Sequence, residues 1–142
     1  MLASQEWHAD GPHVGPTAGV DGQREAAPYA LCVFVPLQDL RAQPALGCTQ
    51  FWPGTHKFGH LLGFGPAAAA LSATFDAQLP AGWAVAYDYR TLHRGMANAG
   101  VQQREVLQFV YHVRTYSEGR NYRGPSLFDG QGSAGALCGV CA

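Results

Sequence analysis

Glycine and proline interrupt this chain 18 and 9 times in 142 residues, and long helical periodicity is scarce in what remains. Between the interruptions lie short runs rich in branched and aromatic side chains, the signature of an all-β sandwich or barrel. A short strand is expected at 5–10, followed by a Gly/Pro-rich loop over 11–22. The run YALCVFVPL (29–37) reads as the best buried strand. Residues 49–52 form another, stopped by Pro53-Gly54. Residues 66–71 (PAAAAL) suit one or two helical turns. Strands follow at 71–75 and 83–89, separated by the turn Pro80-Ala81-Gly82, and the last strong one is REVLQFVYHV (104–113). Residues 1–116 read as one core, and 117–142 as a Gly/Ser-rich loop or tail.

At this length one domain is expected, burying roughly two-thirds of its unfolded surface. Nine basic residues against ten acidic ones, with no basic run, argue against nucleic acid as a partner. No apolar run reaches membrane-spanning length, and residues 1–10 lack the features of a signal peptide. Cys32, Cys48, Cys138 and Cys141 do not resemble a disulfide framework, so an intracellular, cytoplasmic setting is expected. The terminal C-x-x-C of Cys138 and Cys141, without a second pair, makes a poor zinc site.

His8-Ala9-Asp10 carries the first chemical signal. Along a strand, side chains at i and i+2 share a face, so His8 and Asp10 would project together while Ala9 points away. His93 is the candidate third ligand from another strand. Two histidines and one carboxylate leave half of an octahedral metal open, an arrangement suited to non-haem Fe(II) that must take a co-substrate and O2 together.

Arg104 lies eleven residues past His93, beyond a turn at Asn98-Ala99-Gly100. The spacing predicts a hairpin with His93 and Arg104 on adjacent antiparallel strands. A buried guanidinium needs an anion, and its fork fits a carboxylate in bidentate fashion. The distal carboxylate of 2-oxoglutarate balances the charges: iron and Arg104 against Asp10 and a dianionic co-substrate. The competing expectation is that Arg104 pairs with Glu105 or Asp88.

Taken together, three segments resemble the phytanoyl-CoA dioxygenase family of Fe(II)/2-oxoglutarate oxygenases. They are WHAD (7–10), GCTQFWPGTHK (47–57) and DYRTLHRG (88–95) with the Asn-Ala-Gly turn and Arg104 behind them. The resemblance, over residues 5–116, implies a double-stranded β-helix (jelly-roll, cupin-like) core. It implies iron ligands His8, Asp10 and His93, and Arg104 as the anchor of 2-oxoglutarate. The implied reaction hydroxylates an aliphatic C–H of a small-molecule or acyl-type substrate, releasing succinate and CO2. Asp10 favours hydroxylation, since related halogenases carry a small residue there. Gly95 departs from relatives that have a co-substrate-contacting hydroxyl at its position. Family members also carry more chain ahead of the H-x-D motif, so a core incomplete at its N-terminus is expected. A catalytically inactive remnant is the alternative, and self-association through an exposed outer sheet face is expected.

Gln50 is assigned to the co-substrate pocket, and Trp52, which alternates with it, is a candidate for lining the pocket or packing in the core. His56 reads as structural, with Thr55 or His56 expected to bond the exposed backbone at the Pro53-Gly54 turn. His13, His60 and His112 read as ordinary histidines. Tyr87 and Tyr89 share the parity of His93, with aromatic core as their default role.

Overall fold

The computed structural model describes residues 3–12, 27–57, 73–119 and 121, and the backbone of 136–141. The described residues form an all-β molecule of two antiparallel sheets, a double-stranded β-helix (jelly-roll) fold. Among the described residues seven strands run in chain order: β1 (Ala30–Pro36), β2 (Thr49–Phe51), β3 (Phe75–Asp76), β4 (Val85–Asp88), β5 (His93–Gly95), β6 (Val106–His112) and β7 (Ala136–Cys141). One sheet has the order β4-β1-β6-β7 and the other β3-β2-β5. Short 3-10 turns occupy Pro44–Leu46 and Thr55–Lys57.

β1 sits inside the larger sheet because its near-continuous apolar sequence suits a strand paired on both edges. It pairs with β6 over seven positions, Ala30↔His112 through Pro36↔Val106, and with β4 from Leu31↔Asp88 to Phe34↔Val85. Pro36, which has no N–H to give the ladder, closes the strand. Its carbonyl accepts from Gly82 N–H at 2.9 Å, which fastens the Pro80-Ala81-Gly82 turn beside the end of β1.

Alternation then sorts the side chains. Ala30 and Cys32 of β1, Tyr87 of β4 and Val110 of β6 enter one buried cluster with Phe51 of β2, so the core lies between the sheets. On the opposite face of the larger sheet, Leu31 pairs with Tyr111, and both are exposed, while Val33, Val35, Leu107 and Phe109 are half-buried.

The structure corrects three expectations. β5 pairs with β2 and β6 pairs with β1 and β7, so His93 and the strand that Arg104 precedes lie in different sheets and not in one hairpin. The three-residue β5 finds its register on β2, whereas β6 gains a seven-residue ladder on β1. The Asn98-Ala99-Gly100 turn bends as expected, with Gly100 N–H donating to Asn98 Oδ1, but its backbone is tied to Ala45 and not to a facing strand. Within the expected C-terminal tail, Ala136–Cys141 forms β7, whose pairing with β6 supplies the backbone partners that a loop would lack. The helical turns expected at 66–71, along with His13 and His60, lie outside the described residues.

Candidate metal centre

The segment before β1 runs antiparallel to β5. Gln5 N–H donates to Gly95 O, and His8 and His93 exchange both backbone hydrogen bonds at 3.0 and 2.9 Å. Directly opposed residues on antiparallel strands project to the same face with Cβ atoms about 5 Å apart, and the two imidazoles sit with centroids 4.5 Å apart. The period of two carries Asp10 to that face, while Trp7 and Ala9 turn the other way and pack with Trp52 and Leu92. The sequence-level geometry of the H-x-D triplet is therefore realised.

The ligand atoms of His8, Asp10 and His93 lie within 4.8 Å of one another. His8 Nδ1 lies 2.8 Å from Glu6 O, and His93 Nδ1 lies 3.0 Å from Thr91 O. With Nδ1–H spent on a carbonyl, each ring keeps the lone pair of Nε2 for a metal. His93 Nε2 lies 3.6 Å from Asp10 Oδ1. Burial pushes the His93 imidazole below its ordinary value, against the opposing pull of Asp10 and the Thr91 carbonyl, so the neutral ligand form is favoured. Two imidazole nitrogens and one carboxylate oxygen on one side of a cavity fit a divalent metal of the non-haem iron type, with coordination positions left for small ligands.

Thr55 secures the approach to His93. Its buried hydroxyl donates to Trp52 O at 2.6 Å and accepts from Leu92 N–H at 2.9 Å, joining the Pro53-Gly54 turn to the residue before His93. Thr55 thus takes the turn role expected for this stretch.

The cavity beside the triad measures about 150 Å³. One water needs roughly 10–15 Å³ by the same measure, so the space is that of a small molecule. Besides the triad it is lined by Phe34, Val106, Thr49, Gln5, Gln108 and Arg104, with Gly95 between them. Arg104 enters from the chain just ahead of β6, on the sheet facing His93. Its Nη1 donates to Leu46 O at 3.0 Å and Met96 O at 2.9 Å. Nη2 and Nε have no hydrogen-bond partner among the described residues, and no carboxylate there pairs with the guanidinium. The two acids that competed for it are engaged elsewhere: Asp88 with Arg90 at 2.6 Å, and Glu105 with Gln38 at 3.5 Å. Burial disfavours the Arg104 charge, so an anion in the cavity would relieve a real electrostatic cost.

Gly47 makes this seat attainable. Its φ of 70° and ψ of −175° belong to a region that only glycine occupies readily. A Cβ there would fall 2.5 Å from Ala97 O and 2.9 Å from Arg104 Nη1. At Gly95 the space for a Cβ is taken by Gln5, whose Oε1 accepts from Gly95 N–H at 2.8 Å. The amide of Gln5 thus occupies the space that a Cβ at this position would need.

Gln50 lies outside the cavity lining, contrary to expectation. Thr49 and Phe51 take the inward face of β2, so Gln50 points outward, donating to Asp76 Oδ1 at 2.7 Å and accepting from Arg94 Nε at 2.9 Å. Trp52 is core, edge-on to Trp7 with centroids 5.9 Å apart. Tyr87 reaches the site from the core: its hydroxyl donates to Asp10 Oδ2 at 3.0 Å. Parity had marked Tyr87, and Gln108 shares the sequence face of Arg104, but nothing in the sequence marked Gln5. The family model for phytanoyl-CoA dioxygenase (PhyH) matches residues 2–106, a span holding the triad and Arg104. With that match over most of its length, and a His-Asp-His group set between two antiparallel sheets, the chain belongs to the phytanoyl-CoA dioxygenase family.

Proposed function

We propose that this chain is an Fe(II)- and 2-oxoglutarate-dependent dioxygenase that hydroxylates an aliphatic C–H of a small-molecule or acyl-type substrate, releasing succinate and CO2. Family membership and the donor set of His8, Asp10 and His93 support the oxidoreductase class and the metal. The observation that carries the co-substrate is Arg104, a part-buried cation beside the triad with no carboxylate partner among the described residues. Bound iron supplies O2 activation and the oxidising power for C–H cleavage, coupled to decarboxylation of the keto acid. The chain's own residues position and shield.

In this reading, Arg104 receives the distal carboxylate of 2-oxoglutarate through its free Nη2 and Nε donors, while Leu46 O and Met96 O hold Nη1 still. The amides of Gln5 and Gln108 and the hydroxyl of Thr49 are the remaining polar groups of the lining. Phe34 and Val106 supply its apolar part and keep water from the reacting end. Asp10 offsets the charge of the metal, and burial favours the neutral, ligating form of His93.

The test is an anaerobic titration of the purified protein with Fe(II) and 2-oxoglutarate, following the visible charge-transfer band of the chelate. A band is expected, and Arg104→Ala should shift its half-saturation to much higher 2-oxoglutarate. A folded protein that gives no band would overturn the proposal. A band indifferent to Arg104→Ala would remove Arg104 from it.

A further inference from the structure

Asp10 has two carboxylate oxygens, and the structure assigns them different partners. Oδ1 lies 3.6 Å from His93 Nε2, on the side of the triad. Oδ2 accepts the hydroxyl of Tyr87 at 3.0 Å. Tyr87 is fixed from every side: it is buried on β4, and its ring lies 5.2 Å from Phe34, 4.8 Å from Phe51 and 5.0 Å from His93, centroid to centroid. A phenol clamped this way has little freedom to move, so its hydroxyl oxygen is held beside Asp10 Oδ2.

We propose that Tyr87 is a positioning residue for the metal centre: its hydroxyl holds Asp10 Oδ2 so that Asp10 offers only Oδ1 to the metal. This rests on the reading of His8, Asp10 and His93 as metal ligands. A carboxylate free to rotate could chelate through both oxygens and occupy a coordination position that the co-substrate or O2 requires. A hydrogen bond to the far oxygen withdraws it and fixes the plane of the near one, the role that second-layer partners of metal ligands commonly serve.

The experiment compares wild type, Tyr87→Phe, Asp10→Ala and the double variant by anaerobic titration with Co(II) alone, reading the visible ligand-field bands, with thermal unfolding of each metal-free protein alongside. Tyr87→Phe keeps the ring among Phe34, Phe51 and His93 and removes only the hydroxyl. It is expected to weaken Co(II) binding by about 10–100-fold, to alter band intensity as the coordination number changes, and to leave metal-free unfolding near wild type. In the Asp10→Ala background the same change should have no further effect on binding. Wild-type affinity and bands in Tyr87→Phe, or a loss of stability without a loss of affinity, would overturn the proposal. Failure of wild type to bind Co(II), or equal binding by Asp10→Ala, would instead overturn the ligand set on which it rests. Should Tyr87→Phe not fold, the Zn(II)-loaded wild type with ring-labelled tyrosine decides. A slowly exchanging Tyr87 hydroxyl proton is expected in its NMR spectrum, and a freely exchanging one would overturn the clamp.

Discussion

Thr55 and Asp88 carry, in single side chains, much of what holds the strand ends beside the triad. The Thr55 hydroxyl is buried, and both of its bonds run to backbone groups. Thr55→Val keeps the shape but leaves Leu92 N–H without its acceptor, a cost of about 1–3 kcal/mol. Urea unfolding should show that loss as a lower midpoint, and an unchanged midpoint would mean the hydroxyl is dispensable. Asp88 accepts from Arg90 N, Nε and Nη2, with the last at 2.6 Å. Burial raises its carboxyl, but the bonds and charge of Arg90 outweigh that and hold it below its ordinary value of 3.8. The folded carboxyl is thus the stronger acid, and the unfolded chain takes up the proton first as pH falls. The pair's contribution is intact above about pH 4 and drains away as pH drops through the lowered folded value. The gap between the urea midpoints of wild type and Asp88→Asn should hold above about pH 4, the ordinary carboxyl range, and close as pH falls below it, and a constant gap would exclude this pair as the source.

At the scale of elements, the decisive feature is the joint between the two sheets. The loop holding Leu46 and Gly47, the end of β5 at Met96 and the residue before β6 converge on the guanidinium of Arg104. Gly47→Ala places a Cβ against Ala97 O and Arg104 Nη1 at a backbone conformation that L side chains avoid. A stability loss above about 1 kcal/mol is expected from the backbone alone. Weaker 2-oxoglutarate binding should accompany it, because Arg104 must move. Calorimetry for the first and the chelate band for the second would check this, and a fully stable variant with wild-type affinity would refute it. Register explains why the spacing of His93 and Arg104 does not produce a hairpin. An eleven-residue spacing with an Asn-Ala-Gly turn is compatible with a hairpin, but strand partners are chosen by long-range ladders, and β1 offers β6 seven positions.

Across the whole molecule, the triad joins the segment ahead of β1 to β5, which are linked by backbone bonds and one cross-strand pair. A metal that binds only this folded arrangement stabilises it by linkage, about 2.7 kcal/mol at one hundred times its dissociation constant. The thermal midpoint should rise with Co(II), fall back with a chelator, and stay flat in Asp10→Ala. Metal-independent melting of the wild type would contradict the site. By itself the sequence determined the all-β class, because Gly and Pro cut it into strand-length apolar runs. It also determined that His8 and Asp10 share a face, because the period of two is a local property of an extended chain. It showed the alternation of Thr49, Gln50 and Phe51 too, but not which parity faces inward, and Gln50 faces away from the pocket that the sequence suggests for it. Only the tertiary structure decided that Arg104 arrives from the opposite sheet, that Gln5 fills the space beside Gly95, and that Tyr87 reaches Asp10 across 77 positions of chain. Those outcomes depend on which strands pair and in what register, a choice made by the summed burial and hydrogen bonding of distant segments and not by any one of them.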